Sequence, residues 1–543
     1  MLQTKSIIDD RDTLGPGTLT ARSPATGEAL AEVSLLDEAG VGAAVAAAQR
    51  AAPAWAATPV AERQRLLARL LVLLVDEEAA LAELIARENG KPMAEARLID
   101  LLPGCAAVAH LARRAHRLLA FRPETPVLPL LAHRRAGFRF EPLGVVAIIT
   151  PWNYPAGIPL IQIAAALAAG NTVVFKPASA TVLIGLALGQ LTRRAGFPPG
   201  VVNTVALAGR HTDALVDHPA VAKVLFTGSV EIGRRVAQRV AARLGSVQLE
   251  LGGKDAAVVA ADADLETTAR GLVWGAFMNT GQTCASIERA YIVEPLFEPL
   301  VRRIVQLTGE IEVGDPLAPG TDLGPMTTAE QRELVHRHVS EAVAGGARAL
   351  MGGVLPAGAG LYYPPTVLVD VSEGMAVMRD ETFGPVLPIA PVASLEEGIT
   401  RANASRFCLT ASGWTRSRAT ARRLEAELRA GVVTINDHVV AFGEPTGAWG
   451  GAGESGAGRS HGELGLREVC HVKYVLSELG RPREAAWYYP YDVDFSVFVR
   501  AILPALYAQG RQKLSALLTL ARTRRFAARV RKAALLRHAR TLL

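Results

Sequence analysis

Along the first third of the chain, apolar residues recur at helical spacing. Leu66, Leu67, Leu70, Leu71, Leu74 and Val75 mark one such face, and the pattern predicts helices over 39–52, 59–89 and 94–119, the last broken at Pro103. A turn over 22–28 separates two short strands. Past residue 140 the pattern changes to short continuous apolar runs at 145–150, 172–175 and 221–226. Such runs are too short for helices and typical of strands buried on both faces. A small-residue helix, 163–169, separates the first two. Strand, helix, strand predicts a parallel α/β sheet, and ligands of such sheets sit beyond the carboxyl ends of the strands. Asn153 and Lys176 stand at two of those ends.

At 543 residues the chain exceeds one ordinary core, so two or more domains are expected. Half the residues are hydrophobic and 20% charged, the composition of a soluble globular protein. The four cysteines, Cys105, Cys284, Cys408 and Cys470, lack paired spacings, which argues against a disulfide framework or a metal site. No uninterrupted apolar run reaches the length of a spanning helix. The first five residues lack the apolar core of a signal peptide, so the expected location is cytoplasmic. The net charge of +6 hides an asymmetry: residues 481–543 carry thirteen Lys/Arg against three Asp/Glu, and the rest is slightly acidic. The basic character belongs to the tail, and no nucleic-acid partner is predicted.

One thiol stands apart. Cys284 follows the polar run Asn279-Thr280-Gly281-Gln282-Thr283, whereas the other cysteines have apolar neighbours and read as small core residues. Local context alone leaves a catalytic and a structural role evenly balanced. Gly228-Ser229 opens a glycine-containing strand-to-helix turn able to point backbone N–H groups at a phosphate, although it matches neither common nucleotide fingerprint. Glu250 ends an alternating strand, where a lone carboxylate is usually solvated.

Taken in order, these pieces resemble the aldehyde dehydrogenase superfamily over about residues 20–475. The resemblance rests on Pro151-Trp152-Asn153-Tyr154-Pro155, Phe175-Lys176-Pro177, Phe226-Thr227-Gly228-Ser229, Glu250-Leu251-Gly252-Gly253-Lys254 and Gly281-Gln282-Thr283-Cys284. It continues through Glu381-Thr382-Phe383-Gly384-Pro385, Thr434-Ile435-Asn436 and Glu454-Ser455-Gly456-Ala457-Gly458-Arg459. It implies an α/β fold with a Rossmann-type cofactor domain (1–118 and 142–249), an α/β catalytic domain (250–448) and a small β oligomerisation element (119–141 and 449–480). Residues 481–543 form a basic amphipathic tail outside the match. The implied reaction is NAD(P)-dependent oxidation of a small-molecule aldehyde to an acid by a homodimer or homotetramer, without a metal. Cys284 would attack the carbonyl, Asn153 and the Cys284 N–H would hold the oxyanion, and Glu250 would activate water. Thr150, Trp152, Lys176, Ser179, Gly228, Ser229, Gly252, Glu381 and Phe383 are the implied cofactor residues. Ser179 replaces a glutamate that repels the 2′-phosphate in many NAD-preferring members, so NADP is expected to be tolerated beside NAD.

Departures from the family pattern fall at Ala256, Gly453 and Ser460, and remove no first-rank catalytic group. The later motifs resemble bacterial succinate-semialdehyde dehydrogenases, which clamp the substrate carboxylate with two arginines. Those positions are Ile161 and Met278 here, and a carboxylate buried there without a cation would cost on the order of several kcal/mol. Tyr154, Ile158, Ile161 and Met278 are therefore expected to wall an apolar tunnel for an aliphatic or aromatic aldehyde, the alternative being ordinary core. Succinate semialdehyde remains the alternative substrate. A second alternative is transfer of the acyl group to coenzyme A, but such relatives generally lack the carboxylate found at Glu250. A scaffold without activity would be favoured by a missing nucleophile or base, and both are present.

Beyond 480 the aromatic cluster 487–491 precedes an apolar run, 497–508, interrupted by Arg500 and Pro504. Residues 514–543 are helical in composition, with Arg522, Arg524, Arg525, Arg529, Arg531, Lys532, Arg537 and Arg540 among apolar residues. Two readings stay open: a helix lying in an anionic membrane surface, or one packed on the body or a partner subunit with a solvated basic face.

Overall fold

A computed structural model describes residues 2–478 and 487–524. The chain divides into two compact units, 1–118 with 141–471 and 119–140 with 472–543.

In the first unit the continuous apolar runs become strands. Val145–Ile149 and Thr172–Lys176 are buried at every position, which is why neither alternates. Five parallel strands form the middle of an eight-stranded sheet, in the order Val202–Thr204, Thr172–Lys176, Val145–Ile149, Val221–Thr227, Ser246–Glu250. The chain works outward from Val145–Ile149 in one direction, then returns to its other side with Val221–Thr227. Strand order thus reverses between these two, creating a crevice beyond their carboxyl ends. Thr150, Trp152 and Asn153 follow one strand there, and Gly228 and Ser229 the other.

A second sheet has seven strands, in the order Arg348–Met351, Thr366–Val369, Val386–Val392, Ile287–Val293, Asp255–Val259, Thr410–Trp414, Val432–Ile435. All neighbours pair in parallel except the antiparallel edge strand Arg348–Met351. The short segment 251–254 joins the last parallel strand of the first sheet to the Asp255–Val259 strand of the second. Glu250 therefore closes one sheet, while Cys284 stands just ahead of Ile287–Val293 in the other.

The helices differ from expectation in instructive ways. The helix expected over 163–169 spans Gly157–Ala169, because Pro159 falls in its first turn, where a missing N–H costs nothing. The long pattern 59–89 splits at Glu77 into Val60–Asp76 and Glu78–Asn89. Leu66, Leu67, Leu70 and Leu74 are buried, but Val75 is exposed. Pro103 does not end its helix. A π-helical turn over Ala96–Leu101 leads into Leu102–Leu118, and Pro103 sits at the start of that segment.

The second unit holds Arg122–Glu124 and the greater part of Arg135–Pro142 and Cys470–Ser477, which order as a three-stranded sheet. It also holds two helices, Val493–Tyr507 and Gly510–Arg522, packed on one another through Phe498, Ala501, Ala505, Ala516 and Leu520. Among the described residues no helix is long and apolar enough to cross a membrane. The basic positions from Arg525 to Arg540 lie outside the described residues.

Candidate active site

The segment before Cys284 makes a sharp turn. Asn279, Thr280 and Gly281 all have positive φ, of 53°, 55° and 67°. A side chain at Gly281 would place its Cβ 2.1 Å from the Gly384 carbonyl oxygen, so only glycine fits. The two non-glycine residues are held against their backbone preference by bonds from distant segments. The Asn279 N–H donates to Glu95 (2.9 Å), and the Thr280 hydroxyl donates to the Gly324 carbonyl (3.1 Å). Gln282 accepts from the Thr327 N–H at 2.9 Å. The turn delivers Cys284 half-buried at the amino end of a buried strand. Burial, together with the nearby carboxyl groups of Asp255, Glu381 and Glu250, pushes its thiol well above the ordinary value. To act as a nucleophile, such a thiol would need help in losing its proton and stabilisation of the charge that its attack creates.

Asn153 is fixed from both ends. Its side-chain amide donates to the Gln282 carbonyl at 3.0 Å, two residues before Cys284. An amide nitrogen carries two N–H groups, so one remains for another acceptor. The Asn153 carbonyl accepts from Lys91 Nζ (2.9 Å) and from the Asn279 side chain (3.0 Å). Lys91 in turn pairs with Asp100, whose other oxygen accepts the Ala156 and Gly157 N–H groups.

Glu250 is buried, and among the described residues neither of its carboxyl oxygens has a partner in hydrogen-bonding geometry. Burial pushes its pKa up to about 8, opposed by Gln248, Arg459 and Ser460. Room for the carboxyl depends on Gly450, where a Cβ would come within 3.0 Å of Glu250 Oε1. Cys284 and Glu250 line one small cavity with Ile158, Ile161, Phe442 and Trp449. Its volume is ≈ 20 Å³, enough for about one water molecule. Ser460, at a position where the sequence departs from its family pattern, also borders this cavity and bonds His461 Nδ1 at 3.0 Å.

The four expected tunnel residues separate. Ile158 and Ile161 line the Cys284 cavity. Tyr154 does not: its ring is buried and its hydroxyl shares a 2.7 Å hydrogen bond with that of Thr283. Met278 lines a different cavity of ≈ 460 Å³ with Glu95, Trp274 and Phe277. Sequence reasoning missed Phe442, Trp449, Leu409 and His461, which come from distant segments and show no local signal of a site.

The residues expected around a dinucleotide fit one. Lys176 is buried at the end of its strand, burial lowers its pKa to about 8, and its ammonium meets no carboxylate among the described residues. Such a group suits hydroxyl or phosphate oxygens. Ser229 caps the thirteen-residue helix Val230–Ala242, accepting from the Ile232 N–H at 3.4 Å and leaving its own O–H as a donor. A Cβ at Gly228 would meet the Phe226 ring at 2.7 Å, so a larger residue there would have to displace that ring. Ser179 lies near the Leu207 carbonyl at 3.5 Å, with no acid at that position. Glu381 accepts the Gly253 N–H at 3.1 Å, and a Cβ at Gly252 would collide with its carboxyl. Trp152 and Phe383 meet edge to face, with centroids 5.4 Å apart, and Thr150 is buried with its N–H bonded to the Lys176 carbonyl.

The family model described as "Aldehyde dehydrogenase family" matches residues 12–475. A phenylacetaldehyde dehydrogenase of Pseudomonas fluorescens is 38% identical over 465 residues, covering 84% of this chain and 92% of its own length. Betaine aldehyde dehydrogenase 1 of Rhizobium meliloti (strain 1021) is 37% identical over 467 residues, covering 86% and 94%. Among solved structures, an NADP-dependent enzyme of E. coli superposes with a TM-score of 0.85 at 32% identity, over 88% of this chain and 98% of that one. The NAD+ complex of an aldehyde dehydrogenase from Bacillus cereus gives 0.84 at 33% identity, over 88% and 97%.

Proposed function

Because the chain belongs to the aldehyde dehydrogenase family, we propose that it oxidises an apolar aliphatic or aromatic aldehyde to its carboxylic acid through a thioester on Cys284, using NAD or NADP. The observation that carries this reading is the cavity shared by the Cys284 thiol and the unpartnered, buried carboxyl of Glu250.

The chemistry follows from what each group can do. The Cys284 thiol gives its proton to solvent, and Sγ bonds to the aldehyde carbon while the carbonyl electrons move onto oxygen. The free N–H of Asn153 and the backbone N–H of Cys284 stabilise that oxyanion. A bound nicotinamide dinucleotide supplies the hydride acceptor. Loss of hydride leaves Cys284 acylated. Water in the small cavity then gives a proton to ionised Glu250 and its oxygen to the acyl carbon; the carbon–sulfur bond breaks, Glu250 returns the proton to sulfur, and acid and thiol are released. A pKa of about 8 suits a base working near neutral pH.

The surroundings of the thiol favour an uncharged substrate. Ile158, Ile161, Leu251, Leu409, Phe442 and Trp449 are apolar, and among the described residues no Lys or Arg stands with them beside Cys284 to meet a substrate carboxylate. The phenylacetaldehyde dehydrogenase among the relatives acts on an aldehyde of the favoured kind. Ser179 supports acceptance of NADP beside NAD.

A panel of phenylacetaldehyde, octanal, betaine aldehyde and succinate semialdehyde, followed by nicotinamide absorbance with each cofactor, tests the reading. Turnover is expected with the first two and abolished in Cys284→Ala. Activity surviving that substitution contradicts it.

A further inference from the structure

The helical hairpin Val493–Tyr507 and Gly510–Arg522 lies beyond residue 475, where the family match ends. Its inner faces are satisfied by one another, yet its outer faces are not polar. Val499, Leu503 and Tyr507 recur every fourth residue on the first helix, and Leu514 and Leu518 do so on the second. Leu503 is 65% exposed, Tyr507 61%, Leu514 60% and Leu518 55%. The exposed charges among them are Arg500, Arg511 and Arg522. The two helices contain a single acid, Asp494, in the first turn, where it accepts the Arg524 N–H. A solvated helix surface normally mixes both signs of charge with few large apolar groups. This one combines apolar side chains with cations alone.

That combination selects its partner. A second copy meeting the same face would bring together two surfaces whose exposed charges are all cationic. Residues 525–543, which carry six further Lys/Arg and no acid, have the wrong sign to cover it. Neither helix is long and apolar enough to cross a bilayer. Apolar side chains that can enter the acyl boundary, flanked by arginines that reach headgroup phosphates, match an anionic lipid surface.

We propose that this hairpin docks the protein on anionic membranes, with Leu503, Tyr507, Leu514 and Leu518 inserted and the arginines at the headgroups. The full chain is tested by co-sedimentation with vesicles of phosphatidylglycerol and phosphatidylcholine, and of phosphatidylcholine alone. The unaltered chain is expected to sediment with the anionic vesicles, less so as salt rises, and to stay in solution with the neutral ones. Leu503→Asp/Leu518→Asp and Arg500→Glu/Arg511→Glu/Arg522→Glu should each lower the partition by about ten-fold or more at an unchanged thermal midpoint. Failure of the unaltered chain to bind anionic vesicles overturns the proposal. So does equal binding by the Leu503→Asp/Leu518→Asp variant, which would assign the attraction to residues 525–543. A change of oligomeric state in that variant without any vesicle binding would place a second copy on this face and also overturns it.

Discussion

Lys91 and Asp100 form an ion pair 3.0 Å long, with both side chains completely buried. Through it the chain grips the Asn153 segment twice, at the Asn153 carbonyl and at the Ala156 and Gly157 N–H groups. Removing one member leaves a buried charge alone, and Lys91→Met is expected to cost roughly 3–5 kcal/mol in a denaturant titration. Lys91→Met with Asp100→Asn removes both charges and keeps an acceptor for the helix start, so much of that stability returns. Turnover should nevertheless stay low, because the Asn153 carbonyl has lost a donor. In an Asn153→Ala background the paired substitution should change kcat no further, and additive losses would show that Lys91 does not act through Asn153.

Glu250 links pH to stability with a sign opposite to that of a paired carboxylate. Its pKa rises from an ordinary 4.5 to about 8 in the folded chain. Between those values the folded state holds a proton that the unfolded state has released, so this group's contribution to stability falls as pH rises from 4.5 towards 8. Glu250→Gln cannot ionise. Its thermal midpoint relative to the unaltered chain should therefore climb between pH 6 and pH 9, which thermal melts at both values would read.

Substrate preference is expected to turn on Ile161. Ile161→Arg puts a cation into the cavity shared with Cys284, and kcat/KM for phenylacetaldehyde should fall by about ten-fold or more. The same substitution should improve succinate semialdehyde relative to phenylacetaldehyde. An unchanged ratio would remove Ile161 from the substrate's surroundings.

Ser179→Glu should discriminate between cofactors. A carboxylate there repels a 2′-phosphate, so KM for NADP should rise by about ten-fold or more while KM for NAD changes little. Equal effects on both would place Ser179 away from the ribose.

The parallel sheet was legible because strands buried on both faces must be apolar at every position, as Val145–Ile149 is. The helix starts were not: Pro103 reads as a break that a π-helical turn accommodates, and the helix expected from residue 163 begins at Gly157 with Pro159 in its first turn. Cys284 stood out by its polar approach, but its partners emerged only from the ordered motifs and their resemblance to a known family. What escaped reading was direction. Tyr154 and Met278 are apolar enough to wall a tunnel, yet one bonds Thr283 and the other faces a separate cavity. The turn that follows Met278 is held by Glu95, 184 residues from Asn279 in the sequence. Phe442 and Trp449 likewise reach the thiol only through the fold.

The most direct test is rapid mixing of Glu250→Gln with phenylacetaldehyde and NAD, with intact-protein mass measured on the quenched sample. A burst of about one NADH per chain is expected, with a phenylacetyl adduct on Cys284 and very slow turnover thereafter. Continued turnover at the unaltered rate, or a burst with no adduct on Cys284, would contradict the proposed mechanism.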